Sequence, residues 1–251
     1  MRLPTLLVVI PAFALGGCGA PRVLSEAGIS PKRVGVVSIV GETATLNYRG
    51  FTKFGHEQEY LPARSWKLDE KLESQLVSAL AAHRASVFVA LQVDRDALLR
   101  EYDSRTLWPD WRVVLPKVVE VGRAHDVEAV LVATPGVFDA NYGKKEPISG
   151  FGIKAQGAGG EHPFWVTAYL GVRLRLVDVK SGRVVAERLA ATDPDASIWS
   201  TPVAPSVKLD PKGWKTNFEQ VTPAQEALLA NSFEAMSDVV LQNAQRIFGL
   251  R

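Results

Sequence analysis

The most reactive side chain in this 251-residue chain is its single cysteine, Cys18. A thiolate is a strong nucleophile and can be joined to a lipid or an acyl group. Residues 6–17, directly before it, are all apolar, proline or glycine, and Arg2 is the only charged side chain ahead of them. A charged start and a short apolar run indicate a signal peptide, because the run is too short to span a bilayer as a stable helix.

The sequence Leu15-Gly16-Gly17-Cys18 resembles the lipobox that ends the signal peptides of bacterial lipoproteins. The resemblance implies that the processing enzymes recognise Leu15, Gly16 and Gly17 and cut the chain before Cys18. The thiol of Cys18 would then carry a diacylglycerol and its amine a fatty acid such as palmitate. Several acyl chains anchor a protein firmly, whereas one chain alone is marginal. The alternative is an ordinary N-terminal strand with a free, buried cysteine.

The lipobox divides the chain into a signal peptide (residues 1–17), a lipidated tether (18–31) and one folded domain (32–251). The membrane would be the first partner, through the N-terminal lipid. Position 19 is Gly rather than Asp. In Gram-negative lipoproteins an Asp there commonly retains the protein in the inner membrane, so its absence implies the periplasmic face of the outer membrane. In another host the chain would be a cell-membrane lipoprotein.

Composition narrows the function further. The formal net charge is +2, and no basic cluster is larger than Lys144-Lys145. A nucleic-acid-binding domain needs a basic stripe, so we expect no nucleic acid partner. With Cys18 lipidated, no thiol remains for a disulfide or a cysteine-ligated metal. An apolar share of 47% is that of an ordinary globular domain with a core.

Side chains that could catalyse a reaction do not form a known pattern. The histidines lie apart, at 56, 83, 125 and 162, without a zinc-protease spacing. Residues 193–197 (DPDAS) begin like a calcium loop but lack its glycine and its final acid. Ser38 lies inside a strand-like run and not in a nucleophile elbow. The sequence therefore predicts no catalytic residue, no metal site and no cofactor.

Apolar periodicity predicts an alternation of strands and helices. A β-branched run at 34–40 predicts a strand covered on both faces, with a second strand over 43–49 paired to it. Further elements are predicted as a helix over 66–84 capped by Ser65, a strand over 86–93, a short helix over 95–102 capped by Asp94, a helix over 111–125 secure from Pro116, a strand over 127–134 and a C-terminal helix over 222–248. This order predicts an α/β fold, a layered mixed sheet with helices packed on it.

Strict alternation between 163 and 192 predicts a long β-hairpin that turns at Gly182. One face of its first strand is apolar. The other face is predicted to be wetter and to form a groove for an anionic or peptide partner. The candidate partner contacts on it are Trp165, Tyr169, Arg173 and Arg175.

Two segments lack periodicity and are predicted as long loops, a glycine-rich one at 141–162 and a proline- and tryptophan-rich one at 193–221. Trp199 and Trp214 in the second are further candidate partner contacts, because tryptophan is favoured at interfaces. The alternative is that they pin the loop to the domain. The loop predicted at 51–61 carries the same ambiguity.

The element order behind a lipobox resembles the α/β periplasmic domains of curli-secretion lipoproteins, of lipoprotein activators of peptidoglycan synthases and of the Tol-system propeller protein. The resemblance implies a non-enzymatic binding or assembly component of the cell envelope, with an envelope protein as partner. Two alternatives stay open. One is an envelope hydrolase whose site is assembled in space, and the other is a carrier of a small apolar ligand.

Overall fold

The computed structural model describes Leu24 and residues 28–50, 56–102, 111–139, 147–157, 162–192, 203–214 and 221–250. The lipobox at 15–18 and Trp199 lie outside the described residues.

The described elements are, in chain order, β1 (Arg33–Ser38), β2 (Thr43–Arg49), β3 (His56–Pro62), α1 (Leu68–Leu80), β4 (Val87–Ala90), α2 (Arg95–Glu101), α3 (Trp111–Ala124), β5 (Ala129–Pro135), β6 (Val137–Asp139), β7 (Pro147–Gln156), β8 (Trp165–Asp178), β9 (Arg183–Leu189), β10 (Ser206–Leu209) and α4 (Pro223–Ile247). Short 3₁₀ turns occupy Arg64–Trp66 and Pro211–Gly213.

The sheet is built around the long strand β8, which belongs to two half-sheets. Its C-terminal half pairs with β5 and β9, and its N-terminal half pairs with β7 and β10. Beyond β5 lie β1 and then β4, whereas beyond β7 lie β2 and then β3. The lower half-sheet therefore has the order β4-β1-β5-β8-β9, and the upper half-sheet has the order β3-β2-β7-β8-β10.

Helices cover both faces of the lower half-sheet. One core cluster joins β1 and β5 to α1 and α4 through residues such as Val36, Leu76 and Phe233. A second cluster on the opposite face joins Val130 of β5 to Leu98 of α2 and Val118 of α3. Strands β1, β4 and β5 are parallel. Strands covered on both faces are rich in apolar residues, as β1 and β5 are, and β5 is buried along its whole length.

The structure confirms the predicted α/β class, the hairpin and the C-terminal helix. Gly182 adopts φ 66° in the turn, and Thr222 and Gln225 form a capping box at the start of α4. Helix α1 is shorter than predicted, because it begins after Lys67, a residue with φ 52°, and Ser65 does not cap it. Helix α3 begins at Trp111, so it includes Pro116 instead of starting near it.

The predicted pairing of 43–49 with the first strand is wrong. Strand β2 lies in line with β1, in the upper half-sheet, and pairs with β3 and β7. The loop predicted at 51–61 is also wrong in part, because β3 occupies 56–62. Strand β10 and a 3₁₀ turn likewise replace part of the loop predicted at 193–221.

The largest correction concerns the glycine-rich segment. Residues 147–156 form β7, a central strand between β2 and β8, and not part of a loop. A Cβ on Gly152 would lie 2.2 Å from the carbonyl oxygen of Thr45 and 2.7 Å from the hydroxyl oxygen of Tyr169. Glycine is required because the neighbouring backbone and the Tyr169 ring occupy the place of a side chain. Phe151, Ile153 and Ala155 alternate with Gly152 and Lys154 along β7 and are buried in the main core cluster. The glycines around this short alternation led to the loop prediction.

Candidate functional site

The carboxyl end of β1 is the place where an α/β sheet of this kind can form a site. Strand β4 lies on one side of β1 and β5 on the other, and all three run parallel. The helix before β4 and those before β5 pack on opposite faces. Ligand crevices in open α/β sheets form at such switch points, outside the carboxyl ends of the strands.

A buried polar cluster occupies this position. Asp69 and Glu73 lie four residues apart on α1 and so share one face of that helix. Asp69 accepts a hydrogen bond from the Ser38 hydroxyl and two more from the backbone N–H groups of Val40 (2.8 Å) and Gly41 (3.0 Å). The cluster therefore fastens the connection between β1 and β2 to the first turn of α1.

Glu73 joins the same cluster to α2. It accepts from the backbone N–H of Ser38 at 2.8 Å and from the Arg95 guanidinium at 2.9 Å. Arg95 also donates to the Ser38 carbonyl oxygen at 3.2 Å. Asp94 caps α2 by accepting from Ala97 N–H, as the sequence predicts, and this cap places Arg95 at the first helical position.

Burial dominates the electrostatics of both carboxyl groups, which are 1% (Asp69) and 4% (Glu73) exposed. Desolvation raises the pKa of Glu73 to about 7, against the lowering effect of the Ser38 N–H and of Arg95. Burial also raises the pKa of Asp69, although three hydrogen bonds and Arg95 lower it. Carboxyl groups with raised pKa values can act as general acids where a substrate reaches them.

The geometry of this cluster favours a structural role. Ser38 is fully buried, and its hydroxyl donates to a carboxylate instead of facing a cleft. The adjoining pocket, lined by Glu42, Thr43, Tyr60 and Leu99 among others, has a volume of about 40 Å³. Pockets for small-molecule ligands measure roughly 300–1,000 Å³. This pocket holds little more than ordered water, and the protein's own side chains fill the switch point.

The raised pKa of Glu73 gives a pH-dependent stability. The carboxyl ionises near pH 4.5 in the unfolded chain and near pH 7 in the folded protein. As the pH rises through this window, Glu73 loses its proton in the unfolded chain before it does so in the folded protein. Ionisation therefore stabilises the unfolded chain, and the contribution of Glu73 to the free energy of unfolding falls. Relative to Glu73→Gln, we expect the wild type to lose about 2–3 kcal/mol between pH 4.5 and 7.5. Urea unfolding of both proteins across this range measures it, and parallel pH profiles would contradict it.

The predicted groove on β8 does not form as an open surface. Tyr169 is only 2% exposed, because its ring lies across Gly152 and its hydroxyl accepts from Asn47 at 2.9 Å. Arg175 is also buried, 4.5 Å below the Trp111 ring, and donates to the Thr134 hydroxyl at 2.9 Å. The expected wetter face is therefore wrong at these two positions. The difference arises because Trp111 covers Arg175 and Gly152 leaves room for the Tyr169 ring. Alternation of residue types along one strand does not show which residues its neighbours place beside it.

The remaining candidate contacts divide. Arg173 pairs with Glu187 of β9 and is partly exposed, as is Trp165 at the start of β8. Trp214 is 1% exposed, and its carbonyl oxygen accepts from His162 Nδ1 at 2.7 Å. Trp214 thus pins the chain after β10 to the domain, which favours that alternative for this residue. A partner contact at Arg173 or Trp165 stays a prediction.

A different surface, the edge strand β3, was missed because its sequence, HEQEYLP, carries no apolar alternation. In the described part of the chain, β3 pairs with β2 alone. Glu57, Gln58, Glu59 and Tyr60 are exposed along it. An edge strand can receive an extended segment of another protein through main-chain hydrogen bonds, with side-chain contacts giving specificity. This edge is the candidate binding surface.

Two further observations complete the site analysis. Within the described ranges, no group of three or more histidine, cysteine, aspartate or glutamate residues is placed to hold a metal ion. The described helices include none that combines the length and hydropathy needed to cross a membrane.

No protein-family model and no curated protein matches the chain. Solved structures with a similar course include the PelC dodecamer from Paraburkholderia phytofirmans (12% identity, TM-score 0.29, 90% of this chain and 92% of that chain). Another is lipoprotein GNA1162 from Neisseria meningitidis (12% identity, TM-score 0.29, 86% of this chain and 99% of that chain). A third is the LpoB C-terminal domain from Escherichia coli (16% identity, TM-score 0.25, 66% of this chain and 87% of that chain). At these identities and TM-scores, none of them assigns a function or a partner to this chain.

Proposed function

We propose that the protein is a lipid-anchored lipoprotein of the bacterial cell envelope whose α/β domain is a non-enzymatic binding or assembly component. The observation that carries the proposal is the sequence Leu15-Gly16-Gly17-Cys18, placed shortly before the folded domain. Leu24 lies only six residues after Cys18, and it is already buried in the main core cluster, with 6% of its surface exposed. The lipid on Cys18 therefore holds a folded domain close to the membrane, on the periplasmic face of the outer membrane in a Gram-negative host.

The binding role is supported by the contrast between the interior and the edge of the domain. The carboxyl groups at the switch point are buried and bonded to the protein's own backbone. The β3 edge offers exposed backbone and side chains for a second chain. Because Glu57 and Glu59 are acidic, we expect the partner to be an envelope protein that presents an extended segment with basic side chains.

Lipidation is the first part of the test. In cells labelled with a palmitate analogue, the wild type should carry the label and sediment with membranes, because Cys18 holds the lipid. Cys18→Ala should lose both properties, since alanine has no thiol to receive a diacylglycerol. The matched control is Gly19→Asp, which should remain lipidated but move to the inner membrane of a Gram-negative host. A labelled Cys18→Ala protein would contradict the lipid anchor.

Capture of the partner is the second part. A photo-crosslinking residue at Gln58 on β3 should trap one envelope protein in intact cells, and the yield should fall several-fold in Cys18→Ala. The same residue at Ser206, exposed on β10 at the other edge of the upper half-sheet, is the control position. Trapping at both positions alike would contradict recognition by the β3 edge. Hydrolysis of an envelope substrate, or a co-purified apolar molecule, would instead favour one of the two alternatives.

A further inference from the structure

Five segments meet at one end of the domain, here called the tether end: residues 28–33, 81–87, 121–129, 178–183 and 245–250. The backbone N–H of Val87 donates to the Lys32 carbonyl oxygen at 2.7 Å, and that of Glu128 donates to Arg33 at 2.9 Å. Val179 N–H donates to the carbonyl oxygen of Glu128 at 2.9 Å. These bonds join the N-terminal ends of β1 and β4, the residue before β5 and the turn after β8.

The C-terminal end of α4 closes the same surface. The ring of Phe248, directly after α4, lies 4.9 Å from that of Phe88 on β4 and 5.5 Å from that of His83 after α1. The described C-terminal ends of α1, α3 and α4 therefore all lie at the tether end.

Basic residues are concentrated there. The five segments contain seven of them, against three acidic residues, so their balance is seven minus three, or four positive charges, whereas the whole chain has a net charge of +2. The basic residues are Lys32, Arg33, Arg84, Arg123, Lys180, Arg183 and Arg246, and the acidic residues are Asp126, Glu128 and Asp178.

Helix ends explain only part of this charge. Cations are favourable near helix C-termini, which accounts for Arg84, Arg123 and Arg246. Lys32 precedes β1, Lys180 lies in the turn between β8 and β9, and Arg183 begins β9. None of the three belongs to a helix, and all three are exposed. An open groove beside the chain entry, lined by Ile29 and Lys180 among others, continues the same surface. Asp178 is the register partner of Arg183, and Glu128 accepts from the backbone N–H of Lys32, yet the five segments keep a surplus of four positive charges.

The lipid would be held near this surface. Gly28 lies ten positions after Cys18, and a chain of that length reaches at most about 36 Å when fully extended. Ile29 lines the groove next to Val179 and Lys180, so the chain enters the domain at the tether end. Leu24 is packed into the core and lies six positions after Cys18, a distance of at most about 22 Å along the chain.

We propose that the tether end rests on the anionic phospholipid headgroups of the membrane that holds Cys18, an inference that depends on the lipid anchor proposed above. Each basic residue near an anionic membrane surface strengthens association by roughly fivefold, within a Debye length of about 8–10 Å. The contact orients the domain. The 14 residues of β8 run about 45 Å away from the tether end, so the upper half-sheet with its β3 edge faces away from the membrane.

Fluorescence quenching tests the orientation on the lipidated chain. Ser181→Cys, in the turn at the tether end, and Ser206→Cys, on β10, each add one free thiol for a fluorophore when the lipid occupies Cys18. The proteins are reconstituted into vesicles that contain a headgroup-labelled quencher lipid. In phosphatidylcholine with phosphatidylglycerol, we expect the label at 181 to be quenched at least threefold more than the label at 206. In phosphatidylcholine alone, or at 1 M salt, this difference should shrink towards zero.

Charge reversal at two sets of positions distinguishes an effect of the tether end from an effect of the net charge of the protein. Lys32→Glu with Lys180→Glu and Arg183→Glu should reduce the bilayer-docked fraction by tenfold or more in the anionic vesicles. The control variant is Lys71→Glu with Lys208→Glu and Lys212→Glu, which changes the net charge by the same amount at exposed positions away from the tether end. This variant should leave the bilayer-docked fraction unchanged. Equal quenching of the two labels on a lipidated chain would overturn this inference and leave the lipid anchor standing. So would an equal loss of the bilayer-docked fraction in the two triple variants. A chain without lipid, by mass spectrometry, overturns the lipid anchor and this inference with it.

Discussion

Gly152→Ala is expected to destabilise the folded protein by about 3 kcal/mol or more, a large part of the roughly 5–15 kcal/mol by which folded domains are stable. The added methyl group would lie 2.2 Å from the Thr45 carbonyl oxygen, a backbone atom that cannot move without disturbing the β2–β7 ladder. It would also meet the Tyr169 hydroxyl at 2.7 Å. Chemical denaturation of the purified domain measures the change in the free energy of unfolding.

Two variants make this result specific. Gly213→Ala adds the same methyl group where no heavy atom lies within 4 Å, so it should change stability by less than about 0.5 kcal/mol. Adding Tyr169→Phe to Gly152→Ala removes the contact with the hydroxyl but leaves the one with Thr45, and should restore only a small part of the loss. Wild-type stability in Gly152→Ala would show that β7 does not hold its central place in the sheet.

Asp69→Ala is expected to cost about 3–5 kcal/mol. The substitution leaves the buried N–H groups of Val40 and Gly41 and the Ser38 hydroxyl without their acceptor. Each buried polar group left unsatisfied costs about 1–3 kcal/mol. The loss of first-turn charge on α1 adds a smaller term. Hydrogen exchange should also show faster exchange at residues 39–42, because Asp69 holds this connection.

Glu70→Ala is the matched control, one residue further along the same helical turn. The Glu70 side chain is 52% exposed and pairs with Arg95 at 3.0 Å. An exposed ion pair contributes about 0–1 kcal/mol. A similar cost for the two substitutions would mean that Asp69 is not the fastening point of the β1–β2 connection.

The split sheet also relates the two proposed surfaces to each other. The tether end lies at the C-terminal end of β8, and β3 belongs to the half-sheet built on the other end of that strand. One strand thus separates the proposed membrane-facing surface from the proposed binding edge. This arrangement suits a component that is anchored in one place and binds at a distance from the anchor.

The sequence alone determined the features that depend on local chemistry. The Thr222–Gln225 capping box, the left-handed turn at Gly182 and the apolar face of α4 follow from neighbouring residues, and all three are present. The α/β class followed from the alternation of such elements. The lipobox is equally local, and it stays a prediction because Cys18 lies outside the described residues.

Only the tertiary structure decided what lies beside each element. The glycines of β7 resemble those of a loop although Phe151, Ile153 and Ala155 alternate along it, and the need for Gly152 is visible only beside the Tyr169 ring of β8. Similarly, alternation predicted a wet face for Arg175, but Trp111 of α3 covers it. The Asp69 cluster joins residues about 30 positions apart in the chain. Burial and pairing of this kind depend on long-range contacts, which short-range patterns in the sequence do not encode.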